Sequence, residues 1–373
     1  MNSRQITSRQ MLALIVLFLH GSASLVSVTS KAKQDTWFTI LLAGMMAVPM
    51  VLLYSAIVRK YPQKNLFEII NEVFGKIIGK VVCTLYIWYA IHLGSMNLRM
   101  FTEYMQLLTL GETPQIVISL FMILLCMLSV ACGIENMGRV AKISFVTVVA
   151  FIITTSVVSF KDMNFSNIKP MFSTDAATII GSSFPTLMLP FGELVLIMAL
   201  FPFVKPTGNP TKIYVKSILI STALLVTLSI RNLLVLGLPS TKMFYLASYQ
   251  VVSVMSIGDF FTRMEVFVGA IVLLSCFTKI CVCLLVSSIG LANICNIPKN
   301  KQMNAPCGLI MVTLSSVLFS RTEEMIKWVD MYMVYAIPFE LILPIILWIV
   351  IKLKPKKGKS TVLSDPEKIG SLE

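Results

Sequence analysis

Charge is scarce in this chain of 373 residues: Asp, Glu, Lys and Arg together make up 13% of it. Soluble domains carry roughly 25%, so an ordinary soluble enzyme is excluded. Histidine is scarcer still, with only His20 and His92, and neither a metal site nor a nucleophile, base and orienter can be assembled from them. Of the eight cysteines, Cys281 and Cys283 stand two apart, which is not Cys-x-x-Cys spacing. The others fall mostly inside apolar runs and read as small packing residues. No catalytic residue, metal or cofactor is expected.

What is plentiful is apolar. Hydrophobic residues make up 56% of the chain, about 209 side chains, and the mean hydropathy is +0.84. A bilayer-crossing helix needs about 20 mostly apolar residues, so the fold class is an all-α polytopic membrane protein with about ten transmembrane helices. Apolar runs place them at 11–30, 37–58, 81–105, 115–133, 141–160, 180–203, 214–238, 261–292, 306–320 and 331–353. Between the second and third, Leu66, Phe67, Ile70, Val73 and Phe74 share one helical face, opposed by Glu68, Glu72 and Lys76, as in a helix lying at the interface. A weaker candidate of this kind covers 244–254.

The net charge of +13 is scattered between apolar runs rather than gathered on a domain, which points to topology and away from nucleic acid. With the N-terminus inside, twenty of the 31 basic residues fall in inner segments and seven in outer loops, while Arg99, Arg231, Arg263 and Lys279 lie in or near spans. Both termini are therefore expected in the cytoplasm. Residues 1–355 form a permease-like domain and 356–373 a cytoplasmic basic tail, an anionic-lipid anchor or a stop-transfer flank. Arg4 and Arg9 before a short apolar stretch resemble a signal peptide. Apolar character resumes at Leu25, however, and an uncleaved, interrupted first span is expected.

Two spans are interrupted in the middle, by His20-Gly21-Ser22-Ala23-Ser24 in the first and by Pro185 and Pro190-Phe191-Gly192-Glu193 in the sixth. Unwound backbone is tolerated at membrane depth only where protein or a cavity surrounds it. The breaks open two halves, about 8–160 and 175–353, each of five spans, so the second half is inverted. That pattern predicts a five-plus-five inverted-repeat transporter fold (LeuT/APC-like), with broken first and sixth helices and a ligand between them at the midplane. Half-helix N-termini would receive a carboxylate and freed carbonyls an ammonium, which suits an α-amino acid. The alternative is close helix packing at small residues.

The chain resembles the B subunit of spore germinant receptors, the endospore germination permeases of the amino acid, polyamine and organocation superfamily. The resemblance runs over nearly the whole length. It rests on Gly21-Ser22, Gln34-Asp35-Thr36-Trp37, Tyr61-Pro62, Arg99 and Glu103 before Thr113-Pro114, Pro190-Phe191-Gly192-Glu193, and Phe277-Thr278-Lys279. It implies a sensor of amino acids or related small germinants in the spore inner membrane, acting beside an A subunit and a lipoprotein C subunit.

Ionisable residues at membrane depth are costly and functional by default. Glu193 follows the sixth-span break, where it either bridges that helix to a neighbour or meets a ligand ammonium. Lys279 lies in the eighth span. In the fold the family shares, the first and eighth spans flank a cation site, so the resemblance places the Lys279 ammonium where sodium would stand, beside the carbonyls near Gly21; a static structural pair is the other reading. Tyr89, Leu93, Met96 and Met100 follow helical spacing along the third span, a pattern that packing alone explains; the resemblance raises Leu93 to a pocket wall and Tyr89 to a gate. Arg99 and Glu103, four apart, can pair on one helix, as an outer gate, a partner contact or a buried structural pair. Asp259, Arg263 and Glu265 form a solvated cluster at the outer mouth of the eighth span.

The expected site comprises Gly21, Ser22, Ala23, Leu93, Phe191, Gly192 and Thr278, with Phe191 as an aromatic lid. A proton-coupled amino acid permease and a conduit for water or ions are the rival functions. An enzyme is not expected.

Overall fold

A computed structural model describes residues 5–23, 32–243, 247–254, 265–298 and 300–354. Their regular structure is helical apart from one parallel bridge, Ile6 to Val204. The helices are α1 (Ser8–Ala23), α2 (Thr36–Lys60), α3 (Leu66–Phe74), α4 (Lys76–Leu108), α5 (Gln115–Cys132), α6 (Ile134–Val158) and α7 (Ala176–Thr186). After α7 the chain continues as a π-helical turn, Leu187–Phe191, and a 3₁₀ helix, Gly192–Phe203. Then come α8 (Pro210–Met243), α9 (Ala247–Val254), α10 (Glu265–Ile294), α11 (Asn304–Val317), α12 (Thr322–Ile337) and, beyond a second π-helical turn at Pro338–Ile342, α13 (Leu343–Leu353).

Eight helices among the described residues are long and apolar enough to cross a bilayer, or nine if the bent pair at Asn300–Val317 and Thr322–Val329 forms one span. The expected ten would need α1 and α11, which at 16 and 14 residues are shorter than a full crossing. The stretch predicted at 24–30 and the basic tail at 356–373 lie outside the described residues, as do Asp259 and Arg263.

Burial sorts the helices into centre and rim. In the Ala176–Phe203 span, 89% of the apolar window is buried, against 28% in the Ile134–Asp162 span. The sixth span is therefore the axis of the bundle, while Ile143, Val146, Ile153 and Val157 of α6 face outward, toward the lipid tails in a bilayer. The α1 and α10 helices pack on one another, and α10 also packs on α4.

The interfacial helix begins at Leu66, behind a capping box in which the Asn65 side chain accepts from Phe67 N and Glu68 N, while Asn65 N donates to Glu68 Oε2. Leu66, Phe67, Ile69, Ile70 and Val73 are buried, and Phe74 is only partly so. On the N-terminal face of the bundle, Ile6 N donates to Phe203 O at 2.8 Å and Lys205 N to Ile6 O at 3.0 Å, tying the approach to α1 to the end of the sixth span.

Candidate functional site

The helical path of the sixth span is interrupted at Leu189, which adopts φ −114° and ψ 111°. Proline at 190 has no N–H to give to a preceding turn, so carbonyls on either side of the break need other donors. Gly192 comes immediately after. A Cβ there would overlap the carboxylate of Glu340, so the close approach of the sixth span to the Pro338–Ile342 turn requires glycine. At the other predicted break, a Cβ on Gly21 would lie 2.7 Å from Lys279 Cβ and 3.0 Å from Ser275 O. Each of these glycines lets an ionisable side chain come flush against the backbone of a central span.

The charged side chains are joined. Lys279 Nζ donates to Glu193 Oε2 in a pair buried on both sides, and the amine lies 5.0 Å from the Phe18 ring centroid, within cation–π range. Tyr332 then connects the pair to a second carboxylate. Its hydroxyl donates to Glu193 Oε1 at 3.3 Å, and it lies 2.8 Å from the Tyr89 hydroxyl, which donates to Glu340 Oε1 at 2.5 Å. Tyr54 donates to the Glu340 carbonyl at 2.5 Å and reaches Gly192 O at 3.4 Å. Tyr86 donates to Phe339 O at 2.9 Å. Tyrosine hydroxyls thus supply donors to carbonyls at and beside the irregular turns, and the polar network draws on six helical segments: α2, α4, the Gly192–Phe203 helix, α10, α12 and the Pro338–Ile342 turn.

Of the expected site residues, the structure brings Gly21 against Lys279 and Gly192 against Glu340. Leu93 and Phe191 are buried, and Ala23 packs at the edge of the core; the Ser22 side chain lies outside the described part of the structure. Thr278 turns its hydroxyl to Leu274 O at 2.8 Å, a bond within its own helix. Tyr89 stacks on Phe339 with centroids 4.7 Å apart. The Gly21 carbonyl faces the Cys276 thiol at 3.2 Å, and Lys279 reaches across to the sixth span. Arg99 and Glu103 do pair, with Nη2 to Oε1 at 2.7 Å, and Thr322 donates to the other Glu103 oxygen at 2.8 Å. Among the described residues no group of His, Cys, Asp or Glu is arranged to hold a metal ion. An open surface hollow of about 530 Å³ lined by Gln63, Lys64, Glu68, Asn71, Glu72 and Asn293 touches none of this network.

Glu340 escaped the sequence reading, although the signal was there: it is the one acidic residue in the predicted span at 331–353 and follows Pro338. Tyr54, Tyr86 and Tyr332 carried no such signal, because a tyrosine in an apolar run is compositionally ordinary.

A family model described as spore germination protein matches residues 5–324. The chain belongs to that family. Spore germination protein KB of Bacillus subtilis (strain 168) is 24% identical over 369 residues, covering 97% of this chain and 98% of the relative. Spore germination protein YndE of the same strain is 22% identical over 318 residues, covering 83% and 85%. Among solved structures, MHP1, a nucleobase-cation-symport-1 family transporter in a closed conformation with bromovinylhydantoin bound, superposes with a TM-score of 0.67 at 12% identity, covering 93% of this chain and 78% of its own. MhsT in complex with L-phenylalanine gives 0.64 at 11%, covering 91% and 88%. This germination protein is therefore an integral membrane protein with a transporter fold, and its relatives and fold neighbours are germination proteins and transporters rather than enzymes.

Proposed function

We propose that the chain is the permease-like B subunit of a spore germinant receptor in the spore inner membrane, with both termini cytoplasmic. In this reading a small germinant, an amino acid, binds among Gly21, Ser22, Ala23, Leu93, Phe191, Gly192 and Thr278. Closure around it passes a conformational signal to an A subunit and a lipoprotein C subunit. Membership of the spore germination family, joined to a sixth span broken beside Gly192, is the observation that carries the proposal. The L-phenylalanine in one fold neighbour supports the ligand class, and relatives named spore germination proteins A2 and B2 support a receptor assembled from several subunits. Signalling requires the ligand to bind the closed state more tightly than the open one.

A thermal-shift screen of the purified chain against the twenty amino acids tests this. One or a few should raise the melting temperature, and Gly21→Ala and Phe191→Ala should abolish that rise. Spores carrying either variant should lose the germination response; unchanged binding and germination in both would remove the site assignment. The buried Lys279, Glu193 and Glu340 network favours one second reading, a proton-coupled amino acid permease. Uptake of labelled amino acid into proteoliposomes that depends on a proton gradient would establish it in place of a sensor.

A further inference from the structure

The charges in the central network do not balance. Among the described residues one amine, Lys279, faces two carboxyl groups, Glu193 and Glu340. Lys279 and Glu193 form a direct pair. Glu340 is fully buried, and its Oε2, which abuts Gly192, has no hydrogen-bonding partner among the described residues. Tyr54 faces it from α2, Tyr86 and Tyr89 from α4, Glu193 from the 3₁₀ helix, Lys279 from α10, and Tyr332 and Tyr335 from α12. Its own continuation, α13, carries no ionisable side chain before Lys352. Tyr89 serves Oε1, but a buried carboxylate with no cation of its own and one oxygen unpartnered is costly to keep ionised, and of two carboxyl groups sharing one site, one keeps its proton.

We propose that Glu340 is a proton-binding site, its carboxyl group holding a proton against the break in the sixth span. The proton comes from hydronium in the solvent, whose O–H bond breaks to leave water as one O–H bond forms at the carboxyl, and the Lys279 and Glu193 pair then holds the network's balanced charges. Because Tyr54 bonds the Glu340 carbonyl and also reaches the Gly192 carbonyl, loss of the proton places a new negative charge where the sixth span and the Pro338–Ile342 turn are held together. The proposal goes beyond germinant binding and does not depend on it, so a chain that bound no amino acid would still bind this proton.

The test is infrared spectroscopy of the purified full-length chain in an alkyl maltoside detergent, which carries no carbonyl group, at neutral pH, reading the carbonyl stretch of protonated carboxyl groups. The native chain should show such a band, Glu340→Gln should lose it, and Glu340→Asp should shift its frequency while Glu193→Asp leaves it in place. A native chain without the band, a band that survives Glu340→Gln, or one that moves with Glu193→Asp would overturn the proposal. If position-340 variants fail to fold, native and Glu193→Asp spectra still decide it: an unshifted band supports the assignment and a shifted or missing one overturns it.

Discussion

Among the described residues two ion pairs are buried in this bundle, and they are built differently. Arg99 and Glu103 are one helical turn apart on α4, with side chains 9% and 7% exposed, and Glu103 keeps a second bond from Thr322. Lys279 and Glu193 come from α10 and the sixth span, 86 residues apart in sequence, and neither is exposed at all. The first pair is formed as soon as its helix is. The second exists only when two central spans have crossed, so it reports on their relative position in a way the first does not. That difference makes the Lys279 pair the better candidate for a conformational sensor and the Arg99 pair a local brace.

The sharpest way to break this contrast is to remove one partner. Truncating one side of a buried pair costs about 3–5 kcal/mol, while replacing both with apolar groups is often neutral. Glu193→Leu should therefore lower unfolding stability in detergent by about that much, and Lys279→Met added to it should recover most of the loss. A double variant no better than the single one would mean that the pair does not act as a unit. Next in size is Gly192→Ala. Its new Cβ overlaps the Glu340 carboxylate, and overpacking of this kind costs about 3 kcal/mol at the upper end of the usual range. Glu340→Ala should relieve it, and melting of the two single variants and the double checks the contact. Arg99→Met should cost less, about 1–3 kcal/mol, since Glu103 retains Thr322; melting as unstable as that of Glu193→Leu would erase the distinction between brace and sensor.

These pairs also mark how far the sequence is legible. Arg99 and Glu103 can be matched from their i, i+4 spacing alone, and the polytopic class follows from apolar runs. The irregularity near Gly192 is visible because proline and glycine violate an apolar run, whereas the same kind of signal at Gly21 misleads: α1 runs helical through Gly21 to Ala23. What cannot be seen is which ionisable residue meets which, because spacing along the chain carries no information about spans that cross. Lys279 is thus found as a charge at depth, but its partner has to be read from tertiary packing. Glu340 obeys the same depth rule and was legible in principle, whereas Tyr54, Tyr86 and Tyr332 around it were not, since a hydroxyl that serves a freed carbonyl looks like any aromatic in a helix. Helix ends are blurred for a related reason: α12 begins at Thr322, whereas the last apolar run begins only at 331, because Glu323, Glu324 and Lys327 are helical without being apolar.

A further buried carboxylate, in a loop, sharpens the comparison from the other side, since it uses no cation. Asp35 is fully buried before α2, where Oδ1 accepts from Phe172 N at 2.7 Å and Oδ2 from Thr174 N at 3.1 Å. Thr174 in turn donates to Ala32 O at 3.0 Å, and Phe172 lies edge-on to Trp37 and Phe38. Two backbone amides here do what a lysine does for Glu193, and they belong to a loop that the carboxylate pins in place. Asp35→Asn keeps one acceptor but turns a donor toward the other amide and leaves that N–H unpaired, so it should cost about 1–3 kcal/mol and speed hydrogen exchange at Phe172 and Thr174. The coupling between Lys279 and Glu193, measured by the double-variant cycle in the Asp35→Asn background, should be unchanged. If instead Asp35→Asn destabilised the protein as much as Glu193→Leu, amides and a buried ammonium would be equivalent partners here, and the special standing of the Lys279 pair would rest on its position alone.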